Sequence, residues 1–207
     1  MNTPLKKIGI FIFDDVEELD FVGPYEVFTM ISEIAQHRGD ADYVEVHLIS
    51  ETGSDITGRK GMRTGAHKSI ADICDLDVLL IPGGQGSRDL IENEIVLNWI
   101  KDIAPKCEWV TSVCTGAFVL AKAGLTHGRN MTTHWANFDE FKKLGLEGDL
   151  IPHVRYVRDG NIVTSAGVSA GIDMSLWLTG QMFTPKLARQ VQRAMQYDPA
   201  PPYAAEV

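Results

Sequence analysis

The stretch TSVCTGAFVLAKAGL, from Thr111 to Leu125, sets one cysteine between an apolar run and a helical pattern. The run ends at Val113 and a helix is expected from about Thr115, so Cys114 falls on the turn between them. A nucleophile elbow exposes its reactive atom at that kind of turn. Backbone N–H groups at the start of the helix, together with its dipole, favour an anion, so the thiol is expected to ionise below the roughly 8.5 of a free cysteine. A second reading stays open, in which the cysteine is a small apolar filler. Cys74 and Cys107 lack the elbow setting and read as fillers, with Cys107 at the start of its strand.

Two other strand ends carry unusual residues. Gly83-Gly84 follows DVLLIP, and a diglycine there lets main-chain N–H groups face a ligand. Gly84 N–H and Thr115 N–H are an expected oxyanion-hole pair facing the sulfur, and a plain turn is the alternative. After the first strand comes Glu17-Glu18-Leu19-Asp20-Phe21, where apolar neighbours surround Asp20. If Asp20 is buried beside Cys114, desolvation and the thiolate both raise its pKa and leave a carboxylic acid able to donate a proton near neutral pH. An N-cap on the first helix is its other possible role. His134, in MTTHWANF, is placed to orient a thiolate or to serve as a structural residue at a helix start. No later His-x-Glu pair completes a triad, His153 reads as a surface residue, and Met174, Trp177, Met182 and Phe183 read as core or subunit interface.

These residues need strand ends to hold them. Strands are expected at Lys7–Phe13, Val44–Ile49, Asp77–Ile81 and Glu108–Val113, with a small hairpin within Glu51–Ser69. A further hairpin pairs Val154–Arg158 with Asn161–Ser165 through an Asp159-Gly160 turn of type I′. Helices are expected at Gly23–Glu33 with Pro24 in its first turn, Leu90–Ile103, Thr115–Ala123 closed by Gly124, Trp135–Leu144, Ala170–Gly180 and Pro185–Gln196. Pro199–Pro202 reads as a stiff tail. Strands that are apolar throughout, alternating with helices, imply a doubly wound, mostly parallel α/β sheet in a three-layer α/β/α sandwich. In such a sheet ligands bind beyond the carboxyl ends of the strands.

Composition bounds the function. With 207 residues and 44% hydrophobic content the chain can bury a core as one domain, 1–207. Its 19 basic and 28 acidic residues give a net charge of −9, which opposes nucleic-acid and anionic-membrane binding. No apolar run approaches the roughly twenty residues of a membrane span, and no signal peptide is read at the N-terminus. Three cysteines without CxxC spacing suggest neither a disulfide framework nor a zinc site, so a reducing, cytoplasmic setting is expected.

The stretches IFDDVEELDFVGPYEVF, LLIPGGQGSR, VTSVCTGAFVLAKAGLTHGRNMTTHWA, VRDGNIVTSAGVSAGIDMSLWL and VQRAMQYDPAPPY together resemble the PfpI-like superfamily, whose fold resembles the glutamine amidotransferases. Within it the chain looks most like the isocyanide hydratases, through SVCTG, TTHWA, SAGID and YDPAPPY. The resemblance implies a homodimeric hydro-lyase that adds water to an isocyanide and needs no metal or organic cofactor. It implies Cys114 as nucleophile, Asp20 as the acid beside it, Thr115 as a hydrogen-bonding neighbour, and Gly84 at the diglycine amide position. Proteases of the group carry a histidine directly after the cysteine, where this chain has Thr115, and the amidotransferases need the missing His-x-Glu pair. Related transcription regulators continue into a helix-turn-helix, which this sequence is not expected to contain. A cysteine-based small-molecule or redox sensor and a deglycase or chaperone-like stress protein remain as alternatives, because an exposed cysteine serves all three.

Overall fold

The structure, a computed structural model, describes residues 5–41 and 43–199. Its chain order is β1 (Lys6–Phe11), α1 (Glu18–His37), β2 (Val44–Ser50), β3 (Ile56–Thr57), β4 (Arg63–Thr64), β5 (Lys68–Ser69), β6 (Val78–Ile81), α2 (Ser87–Leu90), α3 (Glu94–Ile103) and β7 (Trp109–Val113). It continues through α4 (Gly116–Lys122), β8 (Asn130–Met131), α5 (Phe138–Lys143), β9 (Asp149–Leu150), β10 (Tyr156–Asp159), β11 (Ile162–Ser165), α6 (Ala170–Met182) and α7 (Pro185–Ala194).

Among the described residues seven strands form one sheet in the order β10-β11-β7-β6-β1-β2-β5. Every pairing in it is parallel except β10 with β11. Helices cover the sheet, with α1, α6 and α7 packed on one another and α4 packed on α2 and α3. The expected mostly parallel α/β fold is therefore the observed one. The reason lies in strands such as VLLI of β6 and WVTSV of β7, whose residues are all buried. A strand covered on both faces has no solvent side on which to place polar residues. Among the described residues no helix is long and apolar enough to cross a membrane.

The departures from sequence expectation have local causes. The first helix begins at Glu18, five residues before Gly23, so Pro24 lies inside it rather than in its first turn. Proline has no N–H for the carbonyl four residues back, Asp20 O, and the helix tolerates the loss because Phe21, Pro24, Val27 and Phe28 are buried. The helix expected at Leu90–Ile103 is two helices, because Asn93 Oδ1 accepts from the N–H groups of Ile95 (3.1 Å) and Val96 (3.2 Å) and caps a new start. Trp135–Leu144 divides into a 3₁₀ turn, Trp135–Asn137, and α5. The late hairpin turns at Gly160-Asn161, one residue beyond expectation, and only Gly160 there has positive φ (63°). A type I′ turn needs two such residues, so this turn is of another type. The parallel pair β8–β9 was invisible in the sequence, since two-residue strands carry no periodicity. The hairpin within Glu51–Ser69 is present as β3–β4. The expected tail, Pro199–Pro202, lies outside the described residues from Ala200 onward.

Met174 is fully buried, while Trp177, Met182 and Phe183 pack against the core and Trp177 meets Trp109 edge to face at 5.8 Å. Cys107 is a buried filler whose Sγ reaches Ile103 O at 3.4 Å, whereas Cys74 is exposed and fills nothing. Burial pushes the Cys107 thiol up to about 12. Cys107→Ser is expected to cost on the order of 1–2 kcal/mol in denaturant unfolding and to leave activity unchanged.

Candidate active site

Cys114 lies with Thr115 between β7 and α4 and has φ 54°, in the left-handed region that β-carbon sterics disfavour. Such a conformation costs roughly 1–3 kcal/mol and persists only where its surroundings impose it. The surroundings are explicit. Cys114 N–H is shared between Ser165 O and Ala166 O, both at 3.2 Å, and Cys114 O accepts from Thr133 Oγ1 at 2.7 Å. The end of β11 and the TTHWA segment thus clamp the elbow from two sides.

Asp20 is fully buried in the first turn of α1, and its Oδ2 accepts from Gly83 N–H at 2.9 Å. It is not the N-cap; that position is Glu17, whose side chain makes no capping bond. Oδ1 is buried without a regular hydrogen bond. The Cys114 thiol and Val168 N–H act on the carboxyl from that environment, and both favour its charged form. Val168, whose N–H acts on Asp20, has φ 53°, an outlier for a β-branched residue. Burial outweighs these donors and raises Asp20 to about 7.

The thiol does not behave as expected. Burial first, and then the Asp20 charge, push Cys114 up to about 12, against the pull of Thr115 N–H and its hydroxyl. The helix dipole is outweighed because α4 has only seven residues and Cys114 is 7% exposed, so desolvation dominates. The two groups titrate as a pair with one shared proton, thiol beside carboxylate or thiolate beside carboxylic acid.

The diglycine also works differently from the sequence reading. Gly84 N–H donates to Thr115 Oγ1 at 3.0 Å, so it is not free to face an oxyanion. Thr115 Oγ1 in turn donates to Gly84 O (3.1 Å) and accepts from Ser87 Oγ (3.0 Å), while Arg88 bonds Gly84 O at 2.9 Å and pairs with Glu140. The glycines are required by close approach. A Cβ on Gly83 would lie 2.5 Å from Thr115 N and 2.9 Å from Asp20 Oδ2, and Gly84 adopts φ 129° with Asp15 O 2.4 Å from a would-be Cβ.

His134 lies near the elbow but is not joined to it by a hydrogen bond among the described residues. Its Nδ1 accepts from Ala136 N–H at 3.2 Å and its ring stacks on Trp135. Burial lowers its pKa, so the ring is neutral near pH 7. His153 is exposed, as expected. The sequence reading does not single out Thr133, Ser87, Arg88 or Val168, although each lies in a stretch that carries the family resemblance, Thr133 in TTHWA, Ser87 and Arg88 in LLIPGGQGSR and Val168 in TSAGVSAGID. Among the described residues no cluster of three or more His, Cys, Asp or Glu side chains could hold a metal ion.

An elbow cysteine beyond a parallel strand, facing a buried acid from the first helix, coincides with a match to the DJ-1/PfpI family over residues 6–181. The chain belongs to the DJ-1/PfpI family. This DJ-1/PfpI protein is 38% identical to isonitrile hydratase of Pseudomonas putida over 95% of its own length and 81% of that protein's. It is 30% identical to protein DJ-1alpha of Drosophila melanogaster over 58% of its length and 55% of that protein's. Among solved structures it is similar to a THiJ/PfpI family protein from Pseudomonas syringae, with TM-score 0.85, 26% identity, and coverage of 100% of this chain and 81% of that one.

Proposed function

We propose that this protein is an isocyanide hydratase, a cofactor-independent hydro-lyase that turns R–N≡C and water into an N-substituted formamide. The observation that carries the reading is how the diglycine amides are used. Gly83 N–H holds Asp20 and Gly84 N–H holds Thr115, so the site presents a proton-transfer pair and not a free two-amide oxyanion hole. Acyl transfer builds charge on oxygen and needs such donors. Attack on an isocyanide builds charge on the terminal carbon, which needs a proton. The likeness to a relative named isonitrile hydratase, a synonym for the same activity, supports the choice.

The steps balance through one proton. The thiol proton passes to Asp20, and the Cys114 thiolate attacks the terminal carbon of the isocyanide. Asp20 then protonates that carbon, giving the thioimidate S–CH=N–R. Water adds to the carbon as Asp20 accepts a proton from it and delivers one to nitrogen. Loss of the hydroxyl proton to Asp20 expels the thiolate, releases the formamide and regenerates the starting pair. Thr115 steadies the sulfur through its N–H.

A homodimer and a reducing, cytoplasmic setting belong to the same proposal. Exposed Leu19 and Trp135 and three free cysteines support them. Light scattering on the purified protein reads the assembly. The activity is read by incubating the protein with aryl and alkyl isocyanides and following formamide by mass spectrometry. Absence of turnover across several isocyanides, with Cys114 shown to be reduced, sinks the hydratase reading and favours the sensor.

A further inference from the structure

The hairpin β3–β4 folds its tip onto the residues just ahead of Asp20. Arg59 N–H donates to Val16 O at 2.9 Å and Lys60 N–H donates to Glu18 Oε1 at 2.6 Å. The Lys60 ammonium pairs with the Glu17 carboxylate and lies 3.7 Å from Glu18 Oε2. The Glu17 and Glu18 side chains are 14% and 13% exposed and share this one cation among the described residues. Glu17 is tied to the site as well, since its N–H donates to Gly83 O at 2.9 Å, in the residue whose own N–H holds Asp20.

We infer that Lys60 is a positioning residue for the reactive pair: its ammonium neutralises Glu17 and keeps a second negative charge from opposing the one that forms on Cys114. The charged and titratable groups facing Glu17 are Lys60 from the hairpin, Glu18 and Asp20 from α1, Cys114 from the elbow and His134, which caps the 3₁₀ turn. The Glu17 charge favours the protonated form of Asp20, Cys114 and His134 alike. An exposed ammonium adds little to stability, but its absence is felt strongly by groups buried in low dielectric. Lys60 thus serves the chemistry more than the fold.

This inference rests on the Cys114–Asp20 reading of the site and not on the substrate being an isocyanide, so the test uses iodoacetamide. In a Cys74→Ser background, the alkylation rate of Cys114 is mapped by peptide mass between about pH 5.5 and 10. In Lys60→Met the inflection is expected to move up by about 0.5–1 pH unit, with labelling at pH 7 slower by roughly 3–10-fold. Lys60→Arg is expected to hold the parental profile and Glu17→Gln to move it down. Glu17→Gln combined with Lys60→Met should follow Glu17→Gln alone, because Glu17, and not Glu18, is the carboxylate whose charge reaches Asp20 and Cys114. Coincident profiles for Lys60→Met and parent overturn the inference, as does a shift in the same direction for Lys60→Met and Glu17→Gln, which marks a loosened helix. A parental profile with no inflection overturns both this inference and the reading of the pair. Failure of isocyanide turnover touches neither.

Discussion

Replacing Cys114 by alanine is expected to lower isocyanide turnover by at least about three orders of magnitude, to the level of the uncatalysed reaction. The pathway passes through a bond to sulfur, and no other thiol can substitute. Cys107 is buried against Ile103 O, and Cys74 is on the surface outside the elbow. Serine is expected to fare no better, because its hydroxyl is far harder to ionise in the same desolvated position. Stability should move by less than about 1 kcal/mol in Cys114→Ala, since the positive φ is imposed by Ser165 O, Ala166 O and Thr133 and remains in the variant. In the parent, a trapped adduct of substrate mass on the peptide containing Cys114 is the companion result. Parental turnover in Cys114→Ala would falsify the nucleophile assignment outright.

Asp20→Asn separates chemistry from folding, because the two are expected to move in opposite directions. Asparagine can still accept from Gly83 N–H, yet it can neither take the thiol proton nor return it, so turnover should fall by about 10²-fold or more. The alkylation profile of Cys114 should lose its inflection near pH 7, the point at which the pair gives up its first proton. For stability, burial has raised Asp20 from 3.8 to about 7. Between those values the folded protein binds more protons than the unfolded chain, so this group's contribution weakens as pH rises through the window. Above pH 7 the parent holds a charge that the fold disfavours and the variant does not. Asp20→Asn is therefore expected to be more stable than the parent at pH 8, by on the order of 1–3 kcal/mol, and to converge with it near pH 4. Chemical denaturation at the two pH values measures this. A variant less stable at pH 8 with near-parental turnover would return Asp20 to a structural role.

An acid that lowers stability at its working pH illustrates what the sequence could and could not announce. The run VLLI of β6 has no polar residue to face water, and β1 and β7 confine theirs to Lys6 and Lys7 at one end and to the small Thr111 and Ser112, a pattern that calls for a parallel sheet covered on both sides. The carboxyl ends of those strands are where the sequence puts Cys114, Gly83-Gly84 and the segment holding Asp20, and the strand order β7-β6-β1 makes those ends neighbours. Asp20 stood out because a carboxylate among Leu19, Phe21 and Val22 conflicts with its local pattern, and such conflicts gather at functional sites.

Tertiary structure decided the rest, since hydrogen-bond partners and solvent exposure depend on residues far apart in the chain. The thiol's direction of shift could not be read from TSVCTG, because a turn before a helix has a favourable dipole in isolation and a prohibitive desolvation cost once α1 and β11 close around it. The Gly84 amide looked free in sequence and is occupied by a hydroxyl 31 positions away. The apolar side chain of Val168 says nothing of its role, which lies in a left-handed backbone and an amide that acts on Asp20, in a helix some 150 residues earlier. Local pattern determined which side chains reach the strand ends; long-range contacts determined which of their polar groups were left to do chemistry.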